Sequence, residues 1–215
     1  DVAAISDLTI EGLAYATCRG GWPASTKLKE KAALRVARNY VEEVINYDVH
    51  RVDGVDKNTT RVRKLLESYA RNISTMAANE TIMADVRATD QTISPNTFAI
   101  YLSALRRIFI VDDVPAWSPA LRSKTKIRTS PKRHFVDPSI AVALMGTNPQ
   151  GLLKDFPTFG FLFEDLCARD LRVYAQALDG EVYHYRDKNG LECDLVVALR
   201  DGRWGAVEVK LGKNE

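Results

Sequence analysis

The chain has little cysteine, no long apolar run and almost no net charge, and each lack removes a class of protein. Its three cysteines, Cys18, Cys167 and Cys193, are odd in number and widely spaced. Neither a disulfide framework nor a zinc cluster is implied. That usage suits a reducing cytoplasm, where we expect the protein to work. No apolar run approaches the ~18 residues of a membrane span, and no signal-peptide pattern is readable, so no membrane is expected as a partner. A formal net charge of +2 neither demands nor excludes nucleic acid, so charge distribution has to decide. No G-x-x-x-x-G-K-[ST] string occurs, and any ATP site of a parent protein lies outside these residues. What is present is ordinary: 46% hydrophobic and 27% charged residues describe a soluble globular chain. The 215 residues suffice for one large or two small domains, and a first residue of Asp1 rather than Met reads as an excised fragment.

The first half is helical in pattern. Residues 7–18 read as a short helix, capped by Ser6 or Asp7 and ended by Gly20-Gly21 and Pro23. The Arg19-Gly20-Gly21-Trp22-Pro23 turn is either a docking corner or plain turn chemistry with a buried Trp. A long helix over 28–51 carries Leu34, Ala37, Val41, Val44 and Ile45 as its apolar stripe. After a polar connection at 52–58, helices are expected over 60–72 and 80–87. A third starts at Ser94, with Pro95 at the first helical position. Three such helices, followed by 109–115 and a basic return to Phe135, read as a winged helix, a module able to seat its third helix in DNA. That return holds Arg122, Lys124, Lys126, Arg128, Lys132 and Arg133 without an acidic residue, a composition suited to phosphates or to plain solvation. The third helix begins with Asn96 and Thr97 and no basic residue, which favours protein docking or weak non-specific binding over sequence reading. A strand turning at Asp137-Pro138 into a helix, then a loop over 147–157, completes this half.

The second half carries the candidate chemistry. From Phe159 to Leu178, Asp165, Arg169, Arg172, Gln176 and Asp179 form one polar stripe. Glu164 lies off it, on an apolar line through Ala168, Leu171 and Ala175. A carboxylate so placed costs several kcal/mol, roughly, unless a metal, a base or hydrogen bonds meet it. The alternative is a first-turn Glu favoured by the helix dipole and reaching water. Strands over 181–187 and 191–199 are joined by Lys188-Asn189-Gly190, and Arg200-Asp201-Gly202 turns the second into a third. The three-residue loop makes paired positions sum to 402, so Asp194 should lie opposite Glu208. Alternation then puts Asp194, Glu208 and Lys210 on one face, and the two-residue hairpin adds Tyr185 to it. His50, His134 and His184 read as structural.

Two carboxylates and a lysine on neighbouring strands suit Mg²⁺ or Mn²⁺ and a phosphodiester: the carboxylates hold the ion and the lysine steadies charge on the phosphate. The alternative is a solubilising edge strand of alternating Glu and Lys. The metal reading requires Glu164, Asp194, Glu208 and Lys210 on the same side of the sheet.

The order Glu164, Asp194, Glu208-Val209-Lys210 resembles the PD-(D/E)XK nuclease-like superfamily. The longer string, Gly160-Phe161-Leu162-Phe163-Glu164 with Tyr183-His184-Tyr185-Arg186-Asp187, Glu192-Cys193-Asp194-Leu195-Val196 and Glu208-Val209-Lys210, resembles more specifically an uncharacterised C-terminal domain that follows an AAA-type ATPase domain in bacteria and archaea. Arg19-Gly20-Gly21-Trp22-Pro23 and Phe135-Val136-Asp137-Pro138 belong to the same resemblance. It implies an α/β fold with an all-helical start: a helical lid or linker over 1–55, a winged-helix-like domain over 56–134, and an α-β-β-β nuclease-like core over 135–215. It places Glu164, Asp194, Glu208 and Lys210 on catalytic positions, the three carboxylates as ligands of Mg or Mn. Cys193 departs from the motif's Pro, and the chain stops at Glu215, before the helix and strand that normally complete such a core. The expected activity is hydrolysis of DNA phosphodiesters by a fragment of an AAA-type ATPase, with the ATPase domain and DNA as partners. The alternative is a non-catalytic DNA- or protein-binding module that regulates the ATPase.

Overall fold

Helix α1 (Ile10–Arg19) begins where Thr9 turns extended and its side chain accepts the N–H of Gly12, so the cap is Thr9 and not Ser6 or Asp7. It stops at Gly20, whose φ of 75° few other residues adopt. The structure, a computed structural model, describes residues 5–120 and 129–212. The turn after α1 is an internal corner. Gly21 N–H donates to Asp137 Oδ2 at 2.8 Å, and Trp22 Nε1 donates to Ser139 Oγ at 2.9 Å. Trp22 also packs on Tyr40, with ring centroids 4.7 Å apart.

The single helix expected over 28–51 is divided into α2 (Glu30–Ala33), α3 (Arg35–Glu43), a wide π turn (Val44–Asp48) and α4 (Val49–Arg51). Val44, Ile45 and Val49, in and just after the wide turn, all reach the core. Helices α5 (Thr59–Arg71), α6 (Asn79–Arg87) and α7 (Pro95–Arg107) lie close to their expected bounds. Asn58 and Ser94 cap the first and last of them. The core is continuous across residue 55: Val44, Ile45 and Val49 join one buried cluster with Val62, Leu65 and Leu102, and so do Phe135, Ile140, Phe159 and Leu162.

Beyond α7 the chain runs extended. Val111 bridges Phe135 and Val114 bridges Lys132, both antiparallel, while Ala116 bridges His184 in parallel. Residues 130–135 form a strap, held at 112–114 on one edge and by Ser74 and Thr75 on the other. Helix α8 (Pro138–Leu144) follows its Asp137 cap, and the segment expected to be loop contains the short α9 (Pro149–Leu152). Helix α10 (Phe156–Ala177) is capped by Asp155. It leads into an antiparallel sheet of order β1 (Gly180–Arg186), β2 (Glu192–Leu199), β3 (Trp204–Val207). The fold is therefore α/β, a helical N-terminal part followed by a three-stranded sheet. A second small core, Val114, Ala168, Ala175, Val182 and Leu195, lies between α10 and that sheet. Among the described residues no helix is long and apolar enough to cross a membrane.

Candidate functional site

The pairing of β2 with β3 follows the expected register, Leu195 opposite Val207 and Val196 opposite Ala206. The pairing of β1 with β2 does not. Tyr183 faces Val196 but Tyr185 faces Cys193, so His184 alone meets both Asp194 and Leu195. This bulge breaks the two-residue alternation. Leu195 joins the core under α10, and Asp194 turns to the same side, toward Glu164. Glu208 stays on the outer face, where it lines a groove with Trp117, Tyr185, Val196, Trp204 and Ala206. Two expectations are corrected: Asp194 does not share a face with Glu208, and Tyr185 does not join Asp194. Both rested on a ladder with no extra residue.

The strap supplies what faces Asp194. Its alternate residues Lys132 and His134 turn to α10, while Arg133 and Phe135 turn to the first core. Lys132 Nζ donates to Glu164 Oε1 at 2.6 Å and to Asp194 Oδ1 at 3.2 Å. The other oxygen of Asp194 accepts the N–H of Val209 at 3.0 Å. One step along, His134 Nδ1 stands 2.6 Å from Asp165 Oδ1, both side chains wholly buried. Burial holds the imidazole down at about 3 and pushes Asp165 well above the usual carboxylate range, so both favour their uncharged forms. Further along the stripe, Arg169 meets Asp137 and Arg172 meets Asp112, each at 2.8 Å. The polar stripe thus docks α10 on the strap and its neighbours.

Residues 10–151 match the family described as a domain of unknown function (DUF8612), about two thirds of the chain. The chain belongs to the DUF8612 family. Residues 159–215 match a second domain of unknown function, DUF4143, which is found in AAA-ATPase-associated proteins. No curated protein and no solved structure matches the chain. The site draws on both regions. Lys132 lies in the DUF8612 stretch, and Glu164 and Asp194 lie in the DUF4143 stretch.

Burial pushes Glu164 up to about 7, against the pull of Lys132. Burial also acts to lower Lys132, but the charges and hydrogen bonds of Glu164 and Asp194 outweigh it and the net shift is upward. Lys132 is therefore an ammonium at neutral pH. Lys210 lines an open cleft with Glu164, Asp194, Gly160 and Phe161, and its Nζ lies 3.7 Å from Glu208 Oε2. Both members of that last pair are more than half exposed.

These residues do not fit a divalent cation. A hard ion needs several oxygens converging on one point. Glu164 and Asp194 converge on the Lys132 ammonium, and Glu208, expected as the third ligand, belongs to the opposite face. Among the described residues no group of three or more His, Cys, Asp or Glu is placed to hold a metal.

Two of the residues expected to contact nucleic acid are internal. Lys132 serves the carboxylates, and the Arg133 guanidinium donates to Ala77 O, Tyr69 Oη, Asp113 Oδ2 and Asn79 Oδ1. Neither is free for a phosphate. Arg122, Lys124, Lys126 and Arg128 lie outside the described residues. Lys132 as the partner of Glu164 and Asp194 is what sequence reasoning missed. Its one signal was spacing, Lys132-x-His134 in an extended stretch against the consecutive Glu164 and Asp165 on a helix.

Proposed function

We propose that the chain is a non-catalytic binding module that regulates an attached AAA-type ATPase. In this reading α5, α6 and α7 with the bridged strap are a winged-helix-like unit, and α10 with the sheet is a nuclease-like α-β-β-β unit no longer used for hydrolysis. The observation that carries it is the placement of Asp194 and Glu208 on opposite faces, with Lys132 between Asp194 and Glu164. The internal use of Lys132 and Arg133 favours a protein partner over DNA. The DUF4143 match supports the choice of the ATPase domain as that partner.

Calorimetric titration of the chain with the separately prepared ATPase domain tests this. Micromolar, saturable binding is expected, with supercoiled plasmid left intact in Mg²⁺ or Mn²⁺. Metal-dependent cleavage lost in both Asp194→Ala and Glu208→Ala would overturn it.

The second reading, a Mg- or Mn-dependent phosphodiesterase acting on DNA, has one observation in its favour: Glu164, Asp194 and Lys210 line the same open cleft. It requires Lys132 to leave both carboxylates and Glu208 to change faces. The plasmid assay decides between the two.

A further inference from the structure

We propose that the Lys132 ammonium is a built-in cation lock, standing where Glu164 and Asp194 would otherwise admit a divalent ion and tying the helical part of the chain to its sheet. The inference rests on the non-catalytic reading above and names the device that enforces it. Three features carry it. First, the ammonium is within hydrogen-bond distance of an oxygen from each carboxylate, 2.6 Å to Glu164 and 3.2 Å to Asp194. Second, the lysine side chain is only 9% exposed and that of Glu164 11%. Asp194, 24% exposed, opens to the cleft, so an ion entering there meets an ammonium already seated on one oxygen of each carboxylate. Third, the three groups come from three elements: the strap, α10 and β2. The strap is itself hydrogen-bonded to residues 74–75 and 112–114. A single charged atom thereby connects the first core to the sheet.

A divalent ion between the same two oxygens would supply one more positive charge than the ammonium and bind the same donors. It would lose the covalent link to the strap. Lysine also brings the counter-charge with the chain, so the joint needs no metal in the medium. The lock predicts a latent site: removing the ammonium while keeping its methylene stem leaves the buried Glu164 and the half-buried Asp194 facing each other across an opening of its size. Such a pair takes up either protons or a cation.

The experiment compares the full chain with Lys132→Met and with Lys132→Met combined with Asp194→Asn, titrating Mn²⁺ by calorimetry and by thermal melting. The expected result is no saturable Mn²⁺ binding in the parent chain. Lys132→Met should gain saturable binding of one Mn²⁺, with a melting temperature raised by the ion, and the double variant should lose it. If Lys132→Met is unfolded alone, Mn²⁺ should restore its far-UV signal. Equal Mn²⁺ affinity in parent and Lys132→Met overturns the lock, and so does an unfolded Lys132→Met that excess Mn²⁺ does not rescue. Plasmid cleavage by the parent chain would refute the non-catalytic reading instead, so the two failures are told apart.

Discussion

Lys132 Nζ lies 2.6 Å from Glu164 Oε1, an ion pair across 32 residues of sequence with both side chains nearly buried. Removing one partner of a buried pair leaves the other uncompensated, at about 3–5 kcal/mol. Lys132→Ala should therefore lose about 3 kcal/mol of unfolding free energy in urea, and replacing both residues by apolar ones should recover much of it. A loss below about 0.5 kcal/mol for Lys132→Ala would place the pair among weak surface contacts.

The protonation of Glu164 offers a second check. Burial sets it at about 7, and Lys132 acts to lower it. Carbon-13 NMR of the Glu164 carboxyl should give a midpoint near 7, moving upward in Lys132→Met as that lowering influence goes. A midpoint in the ordinary carboxylate range would show that the group is hydrated.

His184 makes stability depend on pH in a defined direction. Burial lowers it from 6.5 to about 4, with its Nε2 3.1 Å from Ser130 O. Between those pH values the unfolded chain holds more protons than the folded one, so this histidine's contribution rises with pH and is complete above 6.5. Its full size is about 3 kcal/mol. Urea unfolding at pH 4.5 and 6.5 should show a smaller pH difference in His184→Gln than in the parent chain. An equal difference would contradict the assignment.

The corner at Gly20 is a test of packing. With φ at 75°, a Cβ there would stand 2.5 Å from both Asp137 Oδ1 and Ser139 Oγ. Gly20→Ala should destabilise by about 2 kcal/mol or more, from left-handed strain and from the displaced Asp137 cap. Thermal melting reads this directly, and an unchanged melting temperature would mean that the corner yields freely.

Arg133 separates a structural role from a phosphate contact. Arg133→Ala should cost roughly 1–3 kcal/mol, because Ala77 O, Asn79 Oδ1 and the Tyr69 hydroxyl lose their donor while Asp113 keeps Arg106 and the Tyr69 hydroxyl. The salt dependence of any DNA binding should not change. A shallower salt slope with unaltered stability would restore Arg133 to the nucleic-acid face.

What the sequence made legible has local causes. Ser94-Pro95 marks a helix start because cap chemistry acts over three residues, and Arg200-Asp201-Gly202 sets the register of β2 on β3 for the same reason, whereas the Asn58 cap lies within what reads as a polar connection. The bulge at Asp194 and Leu195 carries no glycine or proline, so nothing local announces it, yet it decides which face Asp194 serves. The strap is harder still. Lys132 finds its carboxylates 32 and 62 residues away, and from composition alone it is one basic residue in a basic run. Asp165 was readable as part of a polar stripe but not as a wholly buried partner of His134.

If the chain's own lysine closes the acidic pair to divalent ions, the unaltered protein takes up no Mn²⁺ there. Electron paramagnetic resonance of free Mn²⁺, followed as the unaltered chain is added at neutral pH, tests it most directly. The free-ion signal should fall no further than with an equal amount of Asp194→Asn. A stoichiometric loss of signal that Asp194→Asn abolishes would contradict it.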